Sequence, residues 1–158
     1  MTNTRLNANT RNSKVIKASR EALYRAFTDP EALAVWQTPP DMTAKVHEFD
    51  GRVGGGYRMS LFYPPSEQEA RGKTSKHEDR FKARFLELTP LKRIVQAITF
   101  DSGDPTFSGT MIMVVTFEDK DGGTEVTILF ENLPPGIRPE DNETGTRSSL
   151  EKLARYVE

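Results

Sequence analysis

Three sets of residues could carry chemistry in this chain: a glycine run between arginines, two histidines, and a scatter of carboxylates. The glycine run is Asp50-Gly51-Arg52-Val53-Gly54-Gly55-Gly56-Tyr57-Arg58. A phosphate-binding loop needs a lysine and a hydroxyl residue directly after its last glycine, to hold phosphate and Mg²⁺. Here Tyr57 and Arg58 stand in those places. A dinucleotide site needs a helix after the glycines, so that its N-terminus meets the pyrophosphate. The residues after Gly56 alternate polar and apolar and read as a strand. The run is therefore read as a hairpin turn, where glycine tolerates positive φ. Arg52 and Arg58 are read as surface charges on the two flanking strands.

His47 and His77 are distant in sequence, and neither has the i,i+4 partner or cysteine context of a metal site. No metal and no other cofactor is expected. His77 falls in a charged loop and reads as solvated. His47 shares a strand face with Phe49, while Val46 and Glu48 share the other. It reads as a surface or edge histidine rather than a general base. No serine has the context of a nucleophile elbow, so no catalytic residue is assigned. Glu48, Asp50, Glu78, Asp79, Glu87, Glu118 and Asp119 fall at strand ends or on polar faces and read as solvated charges.

The most distinctive set is apolar. Met59 and Leu61 share one strand face, as do Met111 and Met113. Around them stand Trp36, Phe49, Phe81, Phe85 and Phe130, with Leu150 from a C-terminal helix. Flexible methionines suit adaptable apolar pockets. Ligand sites are mostly apolar cavities with a few polar groups. These ten residues are the candidate lining of a ligand cavity, set against ordinary core packing, which uses the same residue types.

The elements that would position them follow from periodicity. Residues 1–11 are polar and read as a flexible tail, or an edge extension at best, and 12–158 as one domain. "SKVIKAS" reads as a first strand. Ser19 is a candidate N-cap for a helix over Glu21 to Phe27. Asp29-Pro30 stops it and opens a second short helix carrying Leu33 and Trp36, which Pro39-Pro40 ends. About six strands follow to Asn132, several with one polar face, as in an antiparallel sheet solvated on one side. Residues 64–78 read as a mobile hairpin loop. Leu150, Leu153, Ala154 and Val157 then recur at helical spacing, in a helix starting between Glu140 and Thr144. The fold class is α+β: a curved antiparallel β-sheet wrapped around a long C-terminal α-helix, with two short helices after the first strand. A cavity can remain where sheet and helix diverge.

Bulk properties narrow the function. The 158 residues have a formal net charge of -1 and no cysteine. Disulfides and thiol chemistry are excluded, and the charge argues against a nucleic-acid binder. No apolar run approaches the roughly 20 residues of a membrane span, and the polar N-terminus lacks a secretory h-region. We expect a cytoplasmic protein, monomeric or homodimeric.

Five stretches carry a family resemblance: "VIKASREALYRAFTDPEALAVWQTP", "FDGRVGGGYRM", "FLELTPLKRIVQ", "MVVTFEDKDGGTEVTILFENLP" and "GTRSSLEKLARYVE". Over residues 12–158 the chain resembles the activator of heat shock protein 90 ATPase homologue family. That family belongs to the START-like, Bet v 1-like (SRPBCC) superfamily. The resemblance implies a helix-grip fold, with Asp50, Arg52, Gly54 and Gly55 at a strand-to-strand turn. Members often carry tryptophans where Gln37 and Thr146 stand here, so the resemblance implies a cavity mouth with less aromatic bulk. It implies three functions, in this order. The first is a non-enzymatic binder of a small apolar or amphipathic molecule. The second is a co-chaperone-like activator of a heat-shock ATPase, with a protein partner. It ranks lower because the protein that names the family joins this domain to a separate N-terminal one, and none is read before residue 12. The third is a polyketide cyclase or aromatase, with His47, Tyr57 or Tyr63 as proton carrier.

Overall fold

The computed structural model describes residues 8–37, 42–62 and 78–158. The expected helix stop at Pro39-Pro40, the loop at 64–77, His77 and Tyr63 lie outside the described residues. Strand β1 (Thr10–Ile16) leads into helix α1 (Arg20–Thr28). Ser19 caps α1, its Oγ accepting from the Ala22 N–H at 3.1 Å. Leu23, Ala26 and Phe27 form the buried stripe of α1. Asp29 then caps helix α2 (Pro30–Trp36), accepting from the Glu31 N–H at 3.0 Å. Pro30 fits its first turn because the N–H that proline lacks would have no helical partner there.

Six further strands follow: β2 (Thr43–Asp50), β3 (Gly56–Phe62), β4 (Glu78–Thr89), β5 (Arg93–Phe100), β6 (Met111–Lys120) and β7 (Gly123–Glu131). Helix α3 (Pro139–Val157) ends the chain. All seven strands form one antiparallel sheet in the order β1-β7-β6-β5-β4-β3-β2. The first strand thus returns to lie beside the last. Helix α3 packs on β1 and touches α1 and α2, so the three helices share one side of the curved sheet. This is the helix-grip arrangement. The core lies between, where Phe27, Phe85, Ile94, Val115, Leu150 and Leu153 are fully buried. Each such side chain contributes about 1.5–3 kcal/mol.

Three local details depart from expectation. Strand β1 starts at Thr10, inside the stretch read as a tail. Thr10 is buried opposite Phe130, and its hydroxyl hydrogen-bonds Asn142 of α3. Polar composition hid the strand's first residues because β1 lies at a sheet edge, where Arg11 and Ser13 face solvent. In β2, the register shifts between Val46 and Glu48, leaving His47 as the extra residue of a bulge. Val46 and Phe49 therefore both pack on the core, although strict alternation puts them on opposite faces. Arg52 sits in the β2–β3 turn rather than on a strand. It holds Asp50 through two hydrogen bonds of 2.9 and 3.0 Å.

That turn is where the glycine run is used. The Gly54 N–H donates to the Phe85 carbonyl, and the Phe85 N–H donates to the Gly55 carbonyl, both at 2.9 Å. The turn thus folds back onto β4. A Cβ on Gly56 would lie 1.9 Å from the Ala83 carbonyl oxygen, and one on Gly55 2.6 Å from the Asp50 backbone oxygen. Close approach of backbone to backbone, not phosphate binding, explains the glycines.

Candidate functional site

Between the sheet and the N-terminal half of α3 lies a cavity of about 290 Å³. Alternation along the strands supplies its apolar wall. Leu61 comes from β3, Phe81 from β4, and Ile98 and Phe100 from β5. Met111 and Met113 come from β6, Ile128 and Phe130 from β7. Trp36 closes one end. Its Nε1–H donates to the Ala26 carbonyl at 2.8 Å, and its ring meets Phe27 edge-on at 4.6 Å. Both contacts fix the indole, so this wall is rigid. The α3 side is more polar, with Asp141, Asn142, Gly145, Thr146 and Ser149. The Thr146 hydroxyl is satisfied by the Asn142 carbonyl at 2.7 Å.

Beside the apolar wall runs a buried polar ladder. Tyr57 faces inward and its hydroxyl donates to Gln96 Oε1 at 3.3 Å. The Gln37 side chain is a second hydrogen-bond partner of that hydroxyl. Burial pushes the Tyr57 phenol up to about 12, against the smaller opposing effect of the two glutamines. Gln96 is fully buried, yet its Nε2 has no partner, and neither has Gln37 Oε1. Gln37 is on the cavity wall. Gln96 lies just behind it, two residues before Ile98 on the same face of β5 and opposite Met113 of β6. An unsatisfied buried polar atom costs about 1–3 kcal/mol.

Of the ten candidate lining residues, Trp36, Leu61, Phe81, Met111, Met113 and Phe130 stand on the wall. Phe49, Met59, Phe85 and Leu150 do not; they pack in the core. Phe49 and Phe85 close on Tyr57 in an aromatic cluster, with ring centroids 5.8 and 6.0 Å from its own. Leu150 falls past the stretch of α3 that borders the cavity. Alternation identifies the inward face but not the depth along the strand where sheet and helix part. Gln37 and Thr146, the positions of reduced aromatic bulk, both border the cavity.

One expectation about charge is corrected. Asp79, read as a solvated carboxylate, is 3% exposed and on the cavity wall. The signal was present: it lies two residues before Phe81 on the inward face of β4. Gln96 gives no such signal, because one amide in an apolar strand looks like a packing choice. Among the described residues no Lys, Arg or His borders the cavity.

The outer face of the sheet carries a separate chain of polar groups. The Ser60 hydroxyl donates to Glu78 Oε2 at 2.6 Å, and His47 Nε2 lies 2.8 Å from the same Oγ. The serine proton is committed to Glu78, so His47 donates to Ser60 rather than removing its proton. That polarity is opposite to a nucleophilic triad. The Ser60 and Arg80 hydrogen bonds hold the Glu78 carboxyl below its usual range. Among the described residues no group of three or more potential metal ligands comes together.

Comparisons with known proteins agree with this geometry. Among curated proteins no significant match is found. The solved structure of protein CV1439 from Chromobacterium violaceum is similar with 36% identity and a TM-score of 0.84, over 94% of this chain and 96% of that one. An AHSA1-like protein from Aeromonas hydrophila shares the fold at 20% identity and a TM-score of 0.72, over 95% of this chain and 92% of that one. Protein Ms6760 from Mycobacterium smegmatis does so at 17% and 0.71, over 95% of this chain and 90% of that one. The family model described as Activator of Hsp90 ATPase homolog 1-like protein matches residues 17–158, nearly the whole sheet and all three helices. The chain belongs to that family, within the SRPBCC, Bet v 1-like fold group.

Proposed function

We propose that this protein binds a small apolar or amphipathic molecule, without catalysis, in the cavity between sheet and α3. The observation that carries this reading is the cavity itself: about 290 Å³, walled by Trp36, Phe81, Phe100, Phe130, Met111 and Met113. Apolar walls with a few placed polar groups are the usual form of a ligand site. Taking the ~30 Å³ of a liquid water as the measure, the space suits roughly ten non-hydrogen atoms.

A cyclase-type activity fits less well. With its phenol pushed up to about 12, Tyr57 stays protonated at neutral pH and is a poor proton carrier. His47 is bonded on the outer face. No helix among the described residues is long and apolar enough to cross a membrane.

A panel of small apolar compounds tests the reading by thermal melting. A ligand at about 100 times its Kd adds about 2.7 kcal/mol, a shift of several degrees. Thr146→Phe puts a ring into the cavity from α3. It is expected to keep the fold, by circular dichroism, and to lose the shift. A panel in which no compound moves the melting point overturns the reading.

A further inference from the structure

Resting on the binding reading above, we propose that the ligand is a neutral amphiphile whose head group both donates and accepts a hydrogen bond, an alcohol, phenol or carboxamide. That head group seats at the Gln37–Tyr57–Gln96 ladder.

The ladder's ends fix this chemistry. A hydroxyl has one proton, so Tyr57 donates to one glutamine and accepts from the other. Tyr57 donates to Gln96 Oε1, which leaves Gln37 as the side chain it can accept from. What is left over is Gln37 Oε1, an acceptor, and Gln96 Nε2, a donor, and both lack a partner. Turning both amides over exchanges the two roles. The head-to-tail order still leaves one donor and one acceptor, so the requirement does not depend on how the amides are oriented. Both atoms are buried, Gln37 on the cavity wall and Gln96 behind it, so bulk solvent does not meet these two needs. The cavity is the space beside them, since Ile98, on the same face of β5, and Met113, opposite Gln96, both stand on its wall.

Charge decides between head groups that carry donors and acceptors. No Lys, Arg or His among the described residues borders the cavity, whereas Asp79 and Asp141 do. An ionised carboxylate or phosphate would enter an apolar enclosure with no cation among the described residues of its wall. A neutral head group meets both glutamines without that penalty. An ether or ester accepts but cannot donate, and leaves Gln37 Oε1 unmet. The tail then lies along Trp36, Met113 and Phe130.

Isothermal titration calorimetry with four adamantane compounds separates these features on one tail: the alcohol, the carboxamide, the carboxylate and the methyl ether. The alcohol and carboxamide are expected to bind at least roughly tenfold more tightly than the ether and the carboxylate. Gln37→Met, at the half-buried end of α2, removes the acceptor that only the alcohol meets and is expected to erase the preference for alcohol over ether while ether affinity holds or rises. Gln96→Met, close in volume, removes the donor that both compounds accept from and is expected to weaken alcohol and ether alike. Melting curves establish that each variant is folded. Equal binding of alcohol and ether by the unaltered protein, or a preference that survives Gln37→Met, overturns the head-group assignment and leaves the cavity reading standing. Failure of all four compounds to bind overturns both.

Discussion

Tyr57 shows how a single residue's surroundings set its chemistry. Its phenol is enclosed by Phe49, Phe81 and Phe85, and burial pushes it up to about 12 from an ordinary value of 10.0. The folded state therefore holds the proton more tightly than the unfolded chain. This contribution to stability is full below about pH 10 and is lost as pH rises from 10 toward 12. The loss amounts to about 2–3 kcal/mol. In Tyr57→Phe the alkaline fall of unfolding free energy, measured by urea titration between pH 8 and about 11, should flatten. At neutral pH the same variant should lose about 1–3 kcal/mol, because Gln37 and Gln96 forfeit their shared partner. Curves for the two proteins that run parallel into the alkaline range would contradict this placement of Tyr57. At this scale the sequence was only partly legible. Met111, Met113 and Phe81 declared themselves by type and alternation. Asp79 shared the alternation of Phe81, but a charged residue in a strand is ordinarily assigned outward. Gln96 did not declare itself, because its meaning depends on Tyr57, 39 residues away in sequence.

The elements were more legible, since each carries its own signal. Ser19 and Asp29 are good caps, Pro30 suits a first helical turn, and Leu150, Leu153 and Ala154 repeat at helical spacing. What failed was whatever breaks a period. The bulge at His47 reverses the facing of β2 from that point, and nothing local in "KVHEF" announces it. The glycine turn after β2 is the counterpart: its composition announced a turn, and close approach to β4 explains it. Gly56→Ala should be severely destabilising, by about 2–4 kcal/mol. The added Cβ would meet the Ala83 carbonyl and the Arg84 Cα, 1.9 and 2.8 Å away, and neither can rotate aside. Gly103→Ala is the control, since nothing lies within 4 Å of its added Cβ, and it should change stability by no more than ~0.5 kcal/mol. Chemical denaturation of both variants checks this pair. Similar stabilities would mean that the turn does not press on β4 as described.

For the whole molecule, the antiparallel sheet and the long helix it wraps were legible because most strands alternate and the last helix repeats at helical spacing. The position of the cavity along α3 was not, because it is a matter of spacing between elements. Sheet and α3 stay apart beside Asp141 to Ser149 and close from Leu150 onward. The amphipathic pattern of α3 is the same on both sides of that boundary. The proposed function rests on that gap and on what lines it. The chain supplies its own reporter, since its single tryptophan, Trp36, is on the cavity wall. The most direct test is therefore to titrate the unaltered protein with adamantanol and follow Trp36 emission. A saturable change that fits one site per chain is the predicted result. Emission that stays constant to the solubility limit of the alcohol would contradict a ligand cavity between the sheet and α3.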